Sequence, residues 1–189
     1  YFGLACQKTA SVRGSETVAI TAAAPGSKPV EVSLGGGEGL SIPPGSIPAH
    51  LLPLDVSADL LDELSLPPDM LPSSTDTFAP AGSFADFRPD GLQLAAPIDV
   101  ALGYHTAQSG SKRLFIFTYN TTARAWQRLT AHASIVDENS RLVRTKLEHF
   151  SLYGVMLEEM GFTPAPTPTP PPPLPPRRRP ASCFQLCIL

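Results

Sequence analysis

The chain has 189 residues, of which 42% are hydrophobic and 16% charged, and it contains 22 prolines. This length allows one domain with a core, and so much proline argues against a mainly helical protein. The formal net charge is −3, and the only charged residues after Glu159 are three arginines, which leaves −6 on residues 1–159. An acidic body excludes nucleic acid as the main partner, because binding phosphate requires a basic surface.

Cysteine usage predicts neither a disulfide framework nor a metal site, since Cys6, Cys183 and Cys187 lie outside the predicted domain. We therefore expect no cofactor and no bound metal. The sequence has no run of about 18 apolar residues, so no membrane-spanning helix is predicted within it. Because the first residue is Tyr1 rather than Met, we expect a fragment or a processed product, whose upstream signal peptide would not be visible.

In chain order, residues 1–15 are small and polar and predict a disordered lead-in. A period-two alternation of apolar residues, typical of half-buried strands, begins at Glu16. It runs through TVAITA at 17–22, PVEVSL at 29–34, a short extended piece at 40–42 and LDVSADL at 54–60. The stretch SADLLDEL at 57–64 could instead form one short helix capped by Ser57.

The second half continues with strands. A mobile, proline-punctuated connection at 65–77 precedes a turn in which Asp90-Gly91 supplies the positive φ that the turn needs. Strands rich in β-branched and aromatic residues follow. They are predicted at 97–104, 112–120, 125–131, 133–137 and 141–157.

Eight or so short strands without helical crossovers predict an all-β protein, an antiparallel β-sandwich over residues 16–158. The residues expected to be buried are Trp126, Phe115, Phe117, Ile98, Val100 and Leu147.

From residue 159 the composition changes, and ten of the 22 prolines lie between Pro164 and Pro180. Proline removes backbone donors, so residues 159–189 predict a disordered proline-rich tail with polyproline II character. Two overlapping P-x-x-P-x-Arg motifs fit the aromatic groove of an SH3-type domain. They are Pro172, Pro175, Arg177 and Pro173, Pro176, Arg178. In a secreted glycoprotein the Thr-Pro repeats would instead form a glycosylated stalk, which agrees with the N-glycosylation sequon at Asn120.

The order of motifs over residues 28–157 resembles the ZU-type β-sandwich of ankyrins, netrin receptors and zonula occludens proteins. The motifs are IPPGSIP at 42–48, PDG at 89–91, PIDVALGY at 97–104, Trp126, and His-Phe-Ser at 149–151. The resemblance implies a structural or interaction module, which binds other domains of its parent protein or a protein ligand.

A subset of related sandwiches cleaves its own backbone at His-Phe-Ser. Carried over, His149 would be the general base, Ser151 the nucleophile, and the bond between Phe150 and Ser151 would break after an N→O acyl shift. In a regular strand, however, His149 and Ser151 share one face about 6.6 Å apart, too far for direct proton transfer. Alternation then places Phe150 on the opposite face. The segment is therefore either an ordinary strand or a kinked processing site.

These observations predict a non-catalytic module of a larger extracellular, cell-surface or wall-associated protein. Two alternatives stay open: a processing domain that cleaves itself once, and a cytoplasmic scaffold whose tail recruits an SH3-type partner. The other histidines, His50, His105 and His132, have no cysteine or carboxylate at ligand spacing and are expected to be structural.

Overall fold

The computed structural model describes residues 12–22, 27–72, 76–108 and 112–159. The tail from residue 160 and residues 1–11 lie outside the described residues. Within the described ranges the chain forms eleven strands and three short 3-10 turns. The strands are β1 Val12–Ile20, β2 Val30–Gly35, β3 Glu38–Ile42, β4 Leu54–Leu61, β5 Phe78–Arg88, β6 Gln93–Gly103, β7 Lys112–Asn120, β8 Ala125–Arg128, β9 Ile135–Asp137, β10 Leu142–His149 and β11 Leu152–Glu159. The 3-10 turns are Ala49–Leu51, Glu63–Ser65 and Pro68–Met70.

The strands form two antiparallel sheets that pack face to face. The six-stranded sheet has the order β1-β4-β5-β11-β7-β8, and the five-stranded sheet has the order β2-β3-β6-β10-β9. The predicted fold class, an all-β antiparallel sandwich, is confirmed. Alternation in β10 illustrates the cause: Val143 and Leu147 are buried while Arg144 and Lys146 are exposed, so one face of each strand enters the space between the sheets.

The main core lies between the sheets. It contains Val32, Leu40, Val56, Phe87, Ile98, Leu102, Ile116, Val143, Leu147, Phe150, Tyr153 and Val155, together with smaller side chains. Of the six residues predicted to be buried, five are buried and Phe115 is only half-buried. The Phe115 ring lies on the outer face of β7, where the Arg128 guanidinium covers it at 4.7 Å from the ring centroid.

A second apolar cluster lies on the outer face of the six-stranded sheet. It is formed by Phe84, Phe117, Tyr119, Trp126 and Met156, and we call it the aromatic face. Residues 62–72, which we call the strap, cross it after β4, and Leu66 is buried against it. Residues 65–72, which belong to the connection expected to be mobile, are therefore packed on the sheet.

The structure differs from the sequence-based prediction in the limits of three further segments. β1 begins at Val12, inside the segment predicted as a disordered lead-in. The alternative helix at 57–64 does not form, because Ser57–Leu61 belongs to β4 and only Glu63–Ser65 makes a 3-10 turn. The single strand predicted at 141–157 is two strands, β10 and β11, which belong to different sheets.

Candidate functional site

The His149-Phe150-Ser151 segment forms the corner at which the chain passes from the five-stranded to the six-stranded sheet. β10 ends at His149, Phe150 lies outside both strands, and Ser151 is a bend before β11. Three backbone hydrogen bonds hold the corner. Phe150 N–H donates to Leu92 O at 2.9 Å, Gly91 N–H donates to Phe150 O at 2.8 Å, and Phe87 N–H donates to Ser151 O at 3.1 Å.

The predicted Asp90-Gly91 turn explains how this corner is built. Gly91 has φ +76°, a conformation that costs a residue with a Cβ free energy. In that conformation its N–H donates to the Phe150 carbonyl. A local turn signal in the sequence therefore sets a long-range contact at the candidate site.

The side chains of the corner are packed inward. Phe150 is 0% exposed, and its ring centroid lies 6.4 Å from that of Phe87. The alternation of the sequence places Phe150 on the face opposite Leu147, but the bend turns its side chain into the same space between the sheets. Ser151 is also buried, and its Oγ donates to the Tyr119 carbonyl at 3.4 Å.

His149 and Tyr153 complete the arrangement. The Tyr153 hydroxyl donates to the His149 carbonyl at 2.6 Å, and the two rings lie 5.9 Å apart between centroids. Burial raises the pKa of Tyr153 well above its usual range, so the phenol stays neutral and keeps donating this hydrogen bond.

Chemically, the corner has part of what peptide cleavage requires. The Gly91 N–H lies where it would stabilise an oxyanion on Phe150. The single proton of the Ser151 hydroxyl, however, is directed to the Tyr119 carbonyl, so it is not donated to His149 in this arrangement. The structure brings the three predicted residues to a buried bend but does not pair the base with the nucleophile.

A second candidate site lies on the outer face of the five-stranded sheet. A groove of about 590 Å³ crosses this face. The pairing register of β3 and β6 aligns the residues of the groove floor, since Gly39 pairs with Ala101 and Ser41 pairs with Asp99. The small floor residues Gly39, Ser41 and Ala101 lie between Glu31 on one side and Arg144 and Ile135 on the other. We call this surface the groove.

The walls of the groove carry opposite charges. On one wall, the Ser41 hydroxyl donates to the Glu31 carboxylate at 2.6 Å. The other wall carries Arg144, and Ile135 beside it is 65% exposed. Lys146 and Asp99 form an exposed ion pair at 3.0 Å across the end of the floor, which contributes little to stability because water screens it.

His132 lies at the Arg144 wall of the groove. Its Nε2 approaches the Glu148 carboxylate to 3.3 Å, but without the alignment of a hydrogen bond. The Thr145 hydroxyl lies 3.3 Å from the Ala133 carbonyl and 3.5 Å from the His132 carbonyl, and its one proton, donated to either, ties this loop to β10. The loop therefore holds the wall in place.

The groove cannot be recognised in the sequence, because its residues come from five strands that only the pairing register brings together. Ile135 belongs to a three-residue edge strand in which alternation places it on the outer face, where it is 65% exposed. A single exposed apolar residue is common on protein surfaces, so it does not mark the groove in the sequence.

The other predicted site residues have these positions. Asn120 ends β7 in a half-exposed hairpin, where its side-chain oxygen accepts from Ala123 N–H at 2.9 Å. The proline and arginine motifs at 172–178 lie outside the described residues. No three His, Cys, Asp or Glu side chains cluster as metal ligands within the ranges the structure describes. The same ranges contain no helix that is long and apolar enough to cross a membrane.

Comparison with known proteins identifies no family whose model matches this chain and no curated protein with significant sequence similarity.

Proposed function

We propose that this domain is a non-catalytic interaction module, which binds a protein partner through the groove. The supporting observation is the contrast between the two outer faces of the sandwich. The strap covers the aromatic face of the six-stranded sheet, whereas the five-stranded sheet carries the groove of about 590 Å³.

The composition of the groove fits a protein ligand. Ile135 offers an apolar contact, and the neighbouring Arg144 offers a planar donor for a carboxylate or a carbonyl. Arginine beside exposed apolar area is enriched in the residues that carry most of the binding free energy of protein interfaces. The resemblance to ZU-type sandwiches, whose usual role is interaction, supports the same function.

The test is affinity capture with the full chain as bait, from extracts and medium of the source cells. The wild-type chain is compared with a double variant, Ile135→Asp with Arg144→Glu, and with Arg13→Glu as a control that makes the same arginine-to-glutamate exchange outside the groove. Arg13 is exposed and lies in the other sheet, on β1. We expect a protein that wild type and the control retain and that the double variant loses at least tenfold. Equal capture by all three baits would refute the groove as the binding surface.

A second candidate function is self-cleavage between Phe150 and Ser151. It is supported by the buried bend and by the Gly91 N–H on the Phe150 carbonyl. Cleavage requires that the Ser151 hydroxyl leaves the Tyr119 carbonyl and that His149 takes its proton. The oxygen then attacks the Phe150 carbonyl carbon, the C–N bond breaks with protonation of the amine, and water hydrolyses the ester.

Denaturing electrophoresis of three variants tests this candidate. Self-cleavage would be abolished in Ser151→Ala, retained in Ser151→Cys because a thiol performs the same shift, and slowed in His149→Ala. Fragments that persist in Ser151→Ala would identify an external protease and refute the mechanism.

An extracellular or cell-surface location is proposed with the module. Its support is the sequon at Asn120, which lies in a half-exposed hairpin turn that a glycosyltransferase could reach. We expect an N-glycosidase to release glycan from the purified protein and so to lower its mass. The Asn120→Gln variant should show no such change in mass. A secreted protein without glycan at Asn120 would remove this support.

A further inference from the structure

The outer face of the five-stranded sheet has small side chains on one side of β6 and large ones on the other. One row of paired residues crosses all five strands in the order Ser33, Gly39, Ala101, Arg144, Ile135. On β2 and β3 this row has no side chain larger than serine. On β10 and β9 it carries an exposed arginine and an isoleucine that is 65% exposed. We call these two halves of the face the low side and the high side.

The charges of the adjacent row follow the same division. This row aligns Glu31, Ser41, Asp99 and Lys146 across β2, β3, β6 and β10. Glu31 lies on the low side, where its carboxylate accepts the hydrogen bond from the Ser41 hydroxyl at 2.6 Å. Lys146 lies on the high side and pairs with Asp99 of the central strand at 3.0 Å. The low side therefore carries an acid, and the high side carries bases.

A face of this kind is complementary to itself. A two-fold axis that lies in the plane of contact and runs parallel to β6 would bring the low side of one copy over the high side of another. Arg144 of the second copy would then lie above Gly39. Lys146 of the second copy would lie above Ser41, beside the Glu31 carboxylate. An axis perpendicular to the strands, between the two rows, would instead place Arg144 against Lys146 of the other copy, and like charges oppose that arrangement.

The charges at the centre of this contact alternate in sign. Asp99 lies on β6, so the two copies of this side chain would meet near the axis, each already paired with Lys146 of its own chain. The order across the contact is then Glu31, Lys146 of the second copy, the two Asp99 side chains, Lys146, and Glu31 of the second copy. Each cation therefore lies between acids, which is the arrangement that favours a specific contact.

The size of the face suits a weak dimer. Its five strands, about 4.8 Å apart, give a width of about 24 Å, and the eight residues of β10 give a length of about 27 Å. Two copies would bury about 1,300 Å² in total, near the lower limit of about 1,200 Å² for specific interfaces. The net charge of −3 on each chain opposes association at long range, although salt screens this repulsion. We expect a dissociation constant in the micromolar range.

We propose that the partner bound by the groove is a second copy of this chain, joined face to face through the two five-stranded sheets about a two-fold axis parallel to β6. This inference rests on the proposed function, since it names the occupant of the same surface. In such a dimer the six-stranded sheets lie on the outside, together with the aromatic face and the strap that covers it.

Sedimentation velocity of the full chain tests the dimer, at an ionic strength of about 0.15 M and at concentrations from about 1 μM to about 500 μM. We expect a reversible change from the mass of one chain to the mass of two. Glu31→Lys and Lys146→Glu should each raise the Kd at least tenfold when alone, because each places like charges together at both symmetry-related contacts. Both residues are exposed, so neither substitution removes packing from the core.

A mixture of the two variants tests the direction of the axis. In the mixed dimer, the Glu31→Lys site of one chain meets the Lys146→Glu site of the other, and the unchanged Lys146 and Glu31 form the second contact. The equimolar mixture should therefore dimerise about as tightly as wild type. Arg13→Glu, on β1 in the other sheet, is the control and should also dimerise like wild type. If either charge variant does not fold, Ile135→Asp replaces it as the disrupting variant.

The outcomes decide the inference. A wild-type chain that stays monomeric up to about 500 μM overturns it, and so does dimerisation that no groove variant weakens. Monomeric charge variants whose mixture also stays monomeric overturn the axis parallel to β6. The proposed function fails separately. If affinity capture retains a different protein through Ile135 and Arg144 while the wild-type chain sediments as a monomer, the groove is a binding surface and only the second copy is wrong.

Discussion

The substitution Phe150→Ala tests the bend at the corner between the two sheets. Phe150 is 0% exposed and packs against Phe87 within the main core. Truncation of a fully buried phenylalanine costs about 3–5 kcal/mol in the free energy of unfolding, since it removes apolar burial and leaves a cavity. For a domain of about 150 residues, each kcal/mol lowers Tm by about 4 °C. We therefore expect a decrease of about 12–20 °C.

The assay is urea unfolding followed by the fluorescence of Trp126, with thermal unfolding as a second measurement. Phe115→Ala is the matched control, because it removes the same atoms from a half-buried ring beneath Arg128. It should cost less than half as much as Phe150→Ala. A loss below about 1 kcal/mol for Phe150→Ala, or equal losses for both variants, would mean that Phe150 does not point into the core.

Three other measurements test local features. Burial raises the pKa of Tyr153. The neutral phenol therefore stabilises the fold fully below the unfolded pKa of about 10, and this stabilisation is lost as pH rises above that value. Tyr153→Phe should flatten the alkaline part of the plot of unfolding free energy against pH, and an unchanged slope would contradict this. The hydrogen bond from the Ser140 hydroxyl lowers the pKa of Asp137. Ser140→Ala should therefore raise the pKa of Asp137 in an NMR titration, and an unchanged pKa would rule out this hydrogen bond as the cause. Gly39 has φ +145° and an added Cβ would collide with the Val32 carbonyl, so Gly39→Ala should lower the urea-derived stability by about 1–3 kcal/mol; no loss would mean that the groove floor tolerates a side chain.

The sheets were predictable because their alternation is local. Every second residue is buried from Val56 to Leu60 in β4 and from Val143 to Leu147 in β10, and each pattern defines a strand by itself. The Asp90-Gly91 turn was predictable for the same reason, since positive φ at Gly91 is a property of the residue.

The corner was not predictable in this way. Polar and apolar residues alternate from Val143 to His149, whereas residues 152–157 are apolar at every position. One strand buried on both faces at its end would show the same pattern, so the pattern does not reveal that the chain changes sheets after His149. The bend depends on hydrogen bonds to Gly91 and Leu92, whose distance in sequence hides them. Without the bend, Phe150 is assigned to the wrong face.

The strap and the groove were missed for related reasons. Leu66 lies among prolines, a composition typical of an exposed connection, and it becomes buried only because Trp126 and its neighbours line the outer face of the sheet. The groove depends on the register that places Gly39 beside Ala101 and Arg144 beside Ile135. Neither register can be derived from one strand alone.

The most direct test of a non-catalytic module is the mass of the purified wild-type chain, measured under denaturing conditions after prolonged incubation at neutral pH. We expect one species with the mass of the intact chain, because the Ser151 hydroxyl donates to the Tyr119 carbonyl and is not paired with His149. Two species corresponding to residues 1–150 and 151–189, absent from Ser151→Ala prepared in parallel, would contradict it and establish self-cleavage at the corner.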